Sequence, residues 1–459
     1  MAVERFPKGF VWGVATSAFQ IEGAHDVDGR GRSIWDTFAA RPGFIADGSN
    51  ANVACDHYYR YREDVALMKY LGVGAYRFSI AWPRICPTGR GTANPDGLEF
   101  YDRLVDCLLE ARIAPWVTLY HWDLPQLLED EGGWTNRSTV DAFVDLADAV
   151  SERLGDRVQR WITHNEPWCA SMLGYAQGAQ APGRKSWRDA LTASHHLLLS
   201  HGRAVPVIRS NAPGSKVGLT LNASKVEPAS PSEADRLSAR QFDGELNRWF
   251  LDPIYLGRYP EDVIDYHRRE GRLPEGMGFV EPGDLDEIQT PIDFLGVNYY
   301  SRAVVRSATI PEEENEPRTI PKPDPAELTD MGWEVHPEGL TDTLVRLNRD
   351  YDPGSLIITE NGAAYGTGPG PDGSVQDTRR CAYLRRHLQA CCAAIDEGVP
   401  LHGYFLWSLL DNFEWAFGFA KRFGIVWVDF ETQERIIKAS GHMYRRIIQQ
   451  NSVSEDEAA

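Results

Sequence analysis

Eight short, unbroken apolar runs recur along the chain, and each gives way to a polar or aromatic residue at or near its end. They are FVWGVATSAFQ (10–20), AYRFSIAW (75–82), PWVTLYHW (115–122), RWITHNE (160–166), KVGLTLN (216–222), DFLGVNYY (293–300), SLIITEN (355–361) and LHGYFLWS (401–408). Runs of this length without alternation suit parallel strands covered on both faces, because a sheet with one wet face would show a period of two. Between the runs the spacing becomes helical. Val140, Phe143, Val144, Ala147, Val150 and Leu154 recur at three and four, with Gly155 placed as a C-cap. Leu98, Tyr101, Val105 and Leu108 repeat in the same way over 98–112. Asp377 is placed to cap a helix through Leu384, Leu388, Cys391 and Ile395 that Gly398 ends. Strand and helix alternating in this way predict an α/β fold, a single (β/α)8 TIM barrel with long loops at its C-terminal face. An open doubly wound sheet would want a glycine-rich phosphate turn after the first strand, and SAFQIEGAH contains no GxGxxG.

A length of 459 residues would ordinarily suggest about three domains, but barrels of this class can exceed roughly 400 residues as one unit. Residues 1–459 are therefore read as a single domain. The Pro-, Glu- and Asp-rich stretches 224–290 and 302–345 are expected to decorate the barrel mouth as loops and short helices, and 451–459 to form a short disordered tail. The loop GTGPGPDG (366–373) is no phosphate cradle, since it lacks the following Lys and Ser/Thr.

Composition narrows the partners. A net charge of -19 argues against nucleic acid, which needs a basic face, and against anionic membranes. No apolar run approaches the roughly 18 residues of a membrane span, and MAVERFPKGF shows no signal-peptide pattern. The seven cysteines (55, 86, 107, 169, 381, 391 and 392) are scattered, without CxxC or zinc-like spacing, so reduced thiols and a cytoplasmic location are expected. Cys391-Cys392 reads as helix packing. His195, His196 and His201 lie on a Leu-rich helical pattern without HExxH and read as structural, so no metal or other cofactor is expected. Fourteen Trp, 18 Tyr and 18 Phe supply flat surfaces of the kind that line concave ligand sites.

In such a barrel, functional groups sit at the C-terminal ends of strands. Those ends offer Gln20, Arg77, His121 with Trp122, Asn165 with Glu166, Asn298 with Tyr300, Glu360 with Asn361, and Trp407. Either glutamate alone would read as a paired or solvated carboxylate. Two facing one mouth are what glycosidic cleavage needs, one protonated to assist the leaving group and one ionised to attack carbon or activate water.

The motifs THNEP and IITENG resemble the acid/base and nucleophile motifs of glycoside hydrolase family 1, the β-glucosidase family. FPKGFVWGVATSAFQIEGA, YRFSIAW, YHWDLPQ, MGWEVHPEGL and WSLLDNFEW match in order, so the resemblance runs from residue 6 to about 448. Phe419 and Trp427 stand where the family often has tyrosines. The resemblance implies a retaining β-glucosidase acting on cellobiose, short oligosaccharides and aryl β-glucosides, with Glu166 as acid/base and Glu360 as nucleophile. In a retaining enzyme the carboxyl groups lie ~5–5.5 Å apart, and at that distance the charge of Glu360 is expected to raise the pKa of Glu166. Arg77 and the Tyr300 hydroxyl are expected to hold Glu360 ionised. The resemblance places Asn165 at the sugar 2-hydroxyl and makes Gln20, His121, Asn298, Tyr300 and Glu414 ligands of the sugar site. It makes Trp407 and Trp415 the walls of the glycone pocket and Trp333 the aglycone platform, with Trp122 and Trp168 as second walls. Phe423 reads equally as core or pocket wall.

Lys421 is present, but there is no Ser-x-Lys-x-Tyr reader for a 6-phosphate, and Glu414 would repel one. The expected partner is therefore a small unphosphorylated β-glucoside or oligosaccharide. Three alternatives stand beside this reading: a broader β-glycosidase accepting galactosides or fucosides, a transglycosidase, and a sugar-binding barrel without catalysis.

Overall fold

The computed structural model describes residues 3–273, 275–310 and 318–454. The eight apolar runs form eight parallel strands closed into a barrel in chain order: β1 Val11–Ala15, β2 Ala75–Ser79, β3 Ala114–Tyr120, β4 Arg160–Asn165, β5 Lys216–Asn222, β6 Phe294–Asn298, β7 Leu356–Asn361 and β8 Leu401–Trp407. The eighth strand returns to the first, with Gly403 opposite Val11 and Trp407 opposite Ala15. Closure leaves no unpaired strand edge. Helices cover the outside, among them α1 His57–Leu71, α2 Pro95–Glu110, α3 Ser138–Leu154, α4 Trp187–Asn211, α5 Trp249–Leu256, α6 Pro337–Tyr351, α7 Thr378–Asp396 and α8 Ala439–Gln450.

The barrel is plugged, not hollow. Trp116 on β3 meets Phe294 on β6 at 5.4 Å between ring centroids and Phe405 on β8 at 4.9 Å. These strands are not neighbours, so the rings meet across the interior, joined there by Ala75, Ile162 and Ile357. Glycines make the room. A Cβ on Gly13 would lie 2.4 Å from the Phe405 ring, and one on Gly218 would lie 2.6 Å from the Phe294 ring. Above this apolar plug comes a polar layer. Arg77 Nε donates to Thr118 Oγ1 at 3.1 Å, and Thr359 Oγ1 donates to Asn298 Oδ1 at 2.8 Å.

Several sequence expectations are corrected at the ends of elements. Gly155 is the C-cap of α3, as expected, but in right-handed geometry (φ -68); a glycine is needed there because a Cβ would sit 2.4 Å from Ser151 O. Asp377 precedes α7 but does not cap it with its side chain. Its carboxylate is taken by Arg380 Nε (2.8 Å) and by the backbone N–H and hydroxyl of Ser440 (2.8 and 2.6 Å). The second long insertion ends earlier than expected, because Pro337 opens the 15-residue helix α6. Its residues 311–317 lie outside the described residues. The tail expected to fray at 451 holds its shape as far as 454. Ser452–Ser454 pairs antiparallel with Val3–Arg5, and Asn451 accepts from Trp12 Nε1 at 2.9 Å while donating to Phe6 O at 2.8 Å. Backbone pairing and this asparagine clasp supply the anchors that a polar sequence does not advertise. Residues 455–459 lie outside the described residues.

The seven cysteines are all free, six of them buried, with Cys391 and Cys392 inside α7. The histidines of α4 are structural. His195 bonds Tyr259 and Asp284, His196 bonds Trp134 O, and His201 bonds Thr163. No cluster of His, Cys, Asp and Glu able to hold a metal occurs among the described residues.

Candidate active site

A cavity of about 670 Å³ opens where the barrel strands end. Glu166 and Glu360 both line it, together with His121, Trp122, Asn298, Tyr300, Trp333, Trp407, Glu414, Trp415 and Phe423. A second cavity of about 510 Å³, where β1, β2 and β3 begin, has no carboxylate in its lining.

The backbone aims these groups. Pairing along β4 and β7 slips just before the two glutamates, between Ile162 and Asn165 and between Ile358 and Glu360. Such irregularities re-aim side chains at the rims of barrels. Beyond the strand ends, Trp122 (φ 77), Glu166 (φ 47) and Trp415 (φ 47) adopt left-handed backbone, a conformation costly for such residues and concentrated at functional sites. The backbone N–H of Glu166 is tied to Thr220 O on β5 at 2.9 Å.

The two carboxyl groups have unlike surroundings. Glu360 Oε1 accepts from Arg77 Nη1 at 2.5 Å and Oε2 accepts from the Tyr300 hydroxyl at 2.7 Å. Among the described residues Glu166 has no cation in contact; Asn298 Nδ2 donates to its Oε1 at 2.7 Å. Burial pushes Glu166 up to about 7, with the charge of Glu360 adding to the rise and the hydrogen bonds from Asn298 and Cys169 opposing it. Desolvation is thus the larger cause, where the sequence reading had placed the neighbouring charge first. Burial also raises Glu360, but Arg77 and Tyr300 pull against it. The proton of the pair therefore resides on Glu166.

A hydrogen-bonded platform holds the pair. Arg77 Nη2 donates to Asn165 Oδ1 at 2.6 Å, Asn298 Nδ2 donates to the same oxygen at 3.0 Å, and Asn165 Nδ2 faces His121 Nε2 at 3.0 Å. With Nε2 accepting, His121 carries its proton on Nδ1, which is buried without a partner. Burial and then Arg77 hold its pKa well below the usual value, so the ring is neutral.

Aromatic rings gather around the mouth. His121 stacks between Trp407 and Trp415 at 5.8 Å from each, and Trp122 lies against Trp415 at 4.5 Å while donating to Asn165 O at 3.0 Å. Across the mouth, Trp333 meets Tyr300 at 5.2 Å and Phe423 at 6.1 Å. Phe423 belongs at once to the barrel plug and to the pocket wall. Trp168 also lines the cavity.

Glu414 reaches the cavity, and Gln20 Nε2 points at its Oε2 from 3.4 Å. Burial, followed by the charges of Glu360 and Glu166, pushes Glu414 up to about 8. This environment holds it neutral near pH 7, and repulsion of a phosphate is not a fixed property of this residue. Lys421 Nζ is spent on Asp330 O. Gln20 is fully buried; its Nε2 also donates to Phe413 O at 2.9 Å and Asn412 Oδ1 at 3.0 Å, and its Oε1 accepts from Ser17. It braces Glu414 from below. Among the cavity residues overlooked in the sequence, one lies at a strand end. Asn222 closes β5, and the rule that functional groups sit at strand ends would have found it.

A closed (β/α)8 barrel whose mouth presents one protonated and one ion-paired glutamate among aromatic walls defines a glycoside hydrolase. The family profile for glycosyl hydrolase family 1 matches residues 2–453, and the chain belongs to that family. It is 48% identical to β-glucosidase A of Acetivibrio thermocellus over 97% of this chain and 98% of that one. It is 46% identical to a bifunctional β-D-glucosidase/β-D-fucosidase of Bifidobacterium breve over 97% and 99%. The β-glucosidase of Thermotoga maritima, solved in complex with glucoimidazole, superposes with a TM-score of 0.92 at 46% identity, covering 98% of this chain and all of that one.

Proposed function

We propose that this protein is a retaining β-glucosidase that removes terminal β-D-glucosyl residues from cellobiose, short oligosaccharides and aryl β-glucosides. The observation that carries the reading is the asymmetry of the two carboxyl groups, Glu360 held by Arg77 and Tyr300 and Glu166 left without a cation.

In the first half of the reaction a Glu360 oxygen attacks the anomeric carbon. The bond from that carbon to the aglycone oxygen breaks as Glu166 delivers its proton to that oxygen, leaving a glycosyl ester on Glu360. Esterification removes the charge of Glu360, so the pKa of Glu166 falls and its carboxylate can take a proton from water. That water attacks the anomeric carbon, the ester bond breaks, and Glu360 is regenerated. Asn165 and the Nδ1–H of His121 are the groups offered to the sugar hydroxyls, and Trp407 and Trp415 present the apolar faces against which a pyranose ring packs.

A second reading, tolerance of fucosides, is supported by the bifunctional Bifidobacterium breve relative. A cytoplasmic role in breaking down imported products of cellulose degradation is proposed from the seven unpaired thiols, which suit a reducing compartment.

The test is intact-mass analysis after exposure to dinitrophenyl 2-deoxy-2-fluoro-β-glucoside, followed by peptide mapping. One fluoroglucosyl unit on the peptide bearing Glu360 is expected. A folded protein that takes no label, or takes it at Glu166, overturns the assignment.

A further inference from the structure

Arg380, near the start of α7, is fully buried and engages every N–H of its guanidinium within the protein. Nε donates to Asp377 Oδ2 at 2.8 Å. Nη1 donates to Ala363 O and, at 3.2 Å, to Phe423 O. Nη2 donates to Tyr365 O at 3.1 Å and to Arg422 O at 3.0 Å. Arginine alone among side chains offers five donors in a rigid planar fork, and here each donor meets an acceptor. Asp377 is fixed in turn by Ser440 at the start of α8, which anchors the fork from behind.

The four carbonyls come from two segments at the end of the barrel where the cavity opens. Ala363 and Tyr365 follow Glu360 beyond β7, while Arg422 and Phe423 belong to the stretch after β8. The segments also touch directly, Tyr365 N–H donating to Arg422 O at 3.0 Å. Carbonyl oxygens crowded together repel, and a buried carbonyl without a donor is costly. The guanidinium is therefore what lets the two segments close on each other. Phe423 carries that spacing to the chemistry. Its ring stands edge-on to Tyr300, 6.0 Å between centroids, and the Tyr300 hydroxyl donates to Glu360 Oε2 at 2.7 Å. Arg380 itself does not line the cavity, so it acts through these residues and not on the sugar.

We infer that Arg380 is a positioning residue for the nucleophile: by drawing together the segments after β7 and β8 it seats Phe423 against Tyr300, and so sets the Tyr300 hydroxyl on Glu360. The inference rests on the β-glucosidase reading and adds to it a residue outside the cavity on which turnover depends. A displaced Tyr300 costs little while substrate binds and most when Glu360 must meet the anomeric carbon. Lysine keeps the charge of Arg380 but brings three donors on a single nitrogen, too few and too close together for carbonyls on two segments.

The experiment sets Arg380→Lys beside Arg435→Lys. Arg435 is the control, with an equally buried side chain bound to Asp64 and Cys55 O and no place in the cavity lining. Both variants are expected to melt below wild type, since each gives up buried hydrogen bonds. On 4-nitrophenyl β-glucoside, Arg380→Lys is expected to lose roughly ten- to hundredfold in kcat, the scale of a misplaced catalytic group. Its KM should stay within about twofold, the pattern of an interaction realised in the transition state. Arg435→Lys should keep both constants within about twofold of wild type. Wild-type kcat in Arg380→Lys, a change confined to KM, or an equal loss in the control shows a structural role only and overturns the inference. Phe423→Leu interrupts the same route and decides the matter if Arg380→Lys does not fold: kcat should fall, and an unchanged kcat overturns the inference. None of these outcomes touches the β-glucosidase reading, which falls only if wild type is inert to the substrate.

Discussion

Tyr300 does for Glu360 what no residue does for Glu166: it adds a hydroxyl donor to a carboxylate that already faces a guanidinium. A donor to the ionised form lowers a pKa, so its removal raises it. Tyr300→Phe should therefore move the acidic limb of the kcat/KM profile upward by about one pH unit, in line with one hydrogen bond to a charged group. The alkaline limb, set by Glu166 near 7, should stay within a few tenths of its place. A pH series on an aryl glucoside checks both, and an unmoved acidic limb would remove Tyr300 from the support of Glu360. At this scale the sequence was informative about identity and weak about environment. Glu166 and Glu360 could be picked out because each follows an apolar run and carries a charge that a core does not tolerate. That desolvation outweighs the neighbouring charge at Glu166, or that Glu414 is neutral near pH 7, depends on how completely distant segments close over them. Asn222 escaped notice because an amide after KVGLTL looks like any strand end until it is seen to line the cavity.

The strands were legible because the requirement on them is local. A parallel barrel strand must be apolar on both faces for a handful of residues, and nothing else in the chain has to satisfy that pattern. What the pattern does not contain is which positions must be small. Gly13 and Gly218 are ordinary glycines in sequence, yet each sits against an aromatic ring projected from another strand. Gly13→Val should be destabilising by about 1–3 kcal/mol or more, the usual result of overpacking a filled core. Thermal melts would show it, and a variant as stable as wild type would mean that Phe405 can leave its place at no cost. The cap at Asp377 and the start of α6 were misread for a related reason. A capping residue with a stronger partner elsewhere, here Arg380 and Ser440, does not cap, and a helix opened by proline inside a polar stretch has no apolar run to announce it.

At the scale of the whole molecule, the barrel is closed twice, once by β8 returning to β1 and once by the short pairing of Val3–Arg5 with Ser452–Ser454. Deleting residues 451–459 removes that pairing and leaves Trp12 Nε1 without its acceptor. The truncated protein should melt lower by about 2–4 °C or more, while its kcat/KM at 25 °C on an aryl glucoside stays unchanged, since none of residues 451–454 lines the cavity. An unchanged melting temperature would mean that the second closure is ornamental. Its geometry has a further use. The clasp leads into the start of β1, so the first and last described residues lie together beneath the end where strands begin, while sugars enter and leave at the end where strands finish. A scaffold, tether or solid support joined beside Val3 or Ser454 hangs from the floor of the barrel, and traffic through its mouth goes on undisturbed.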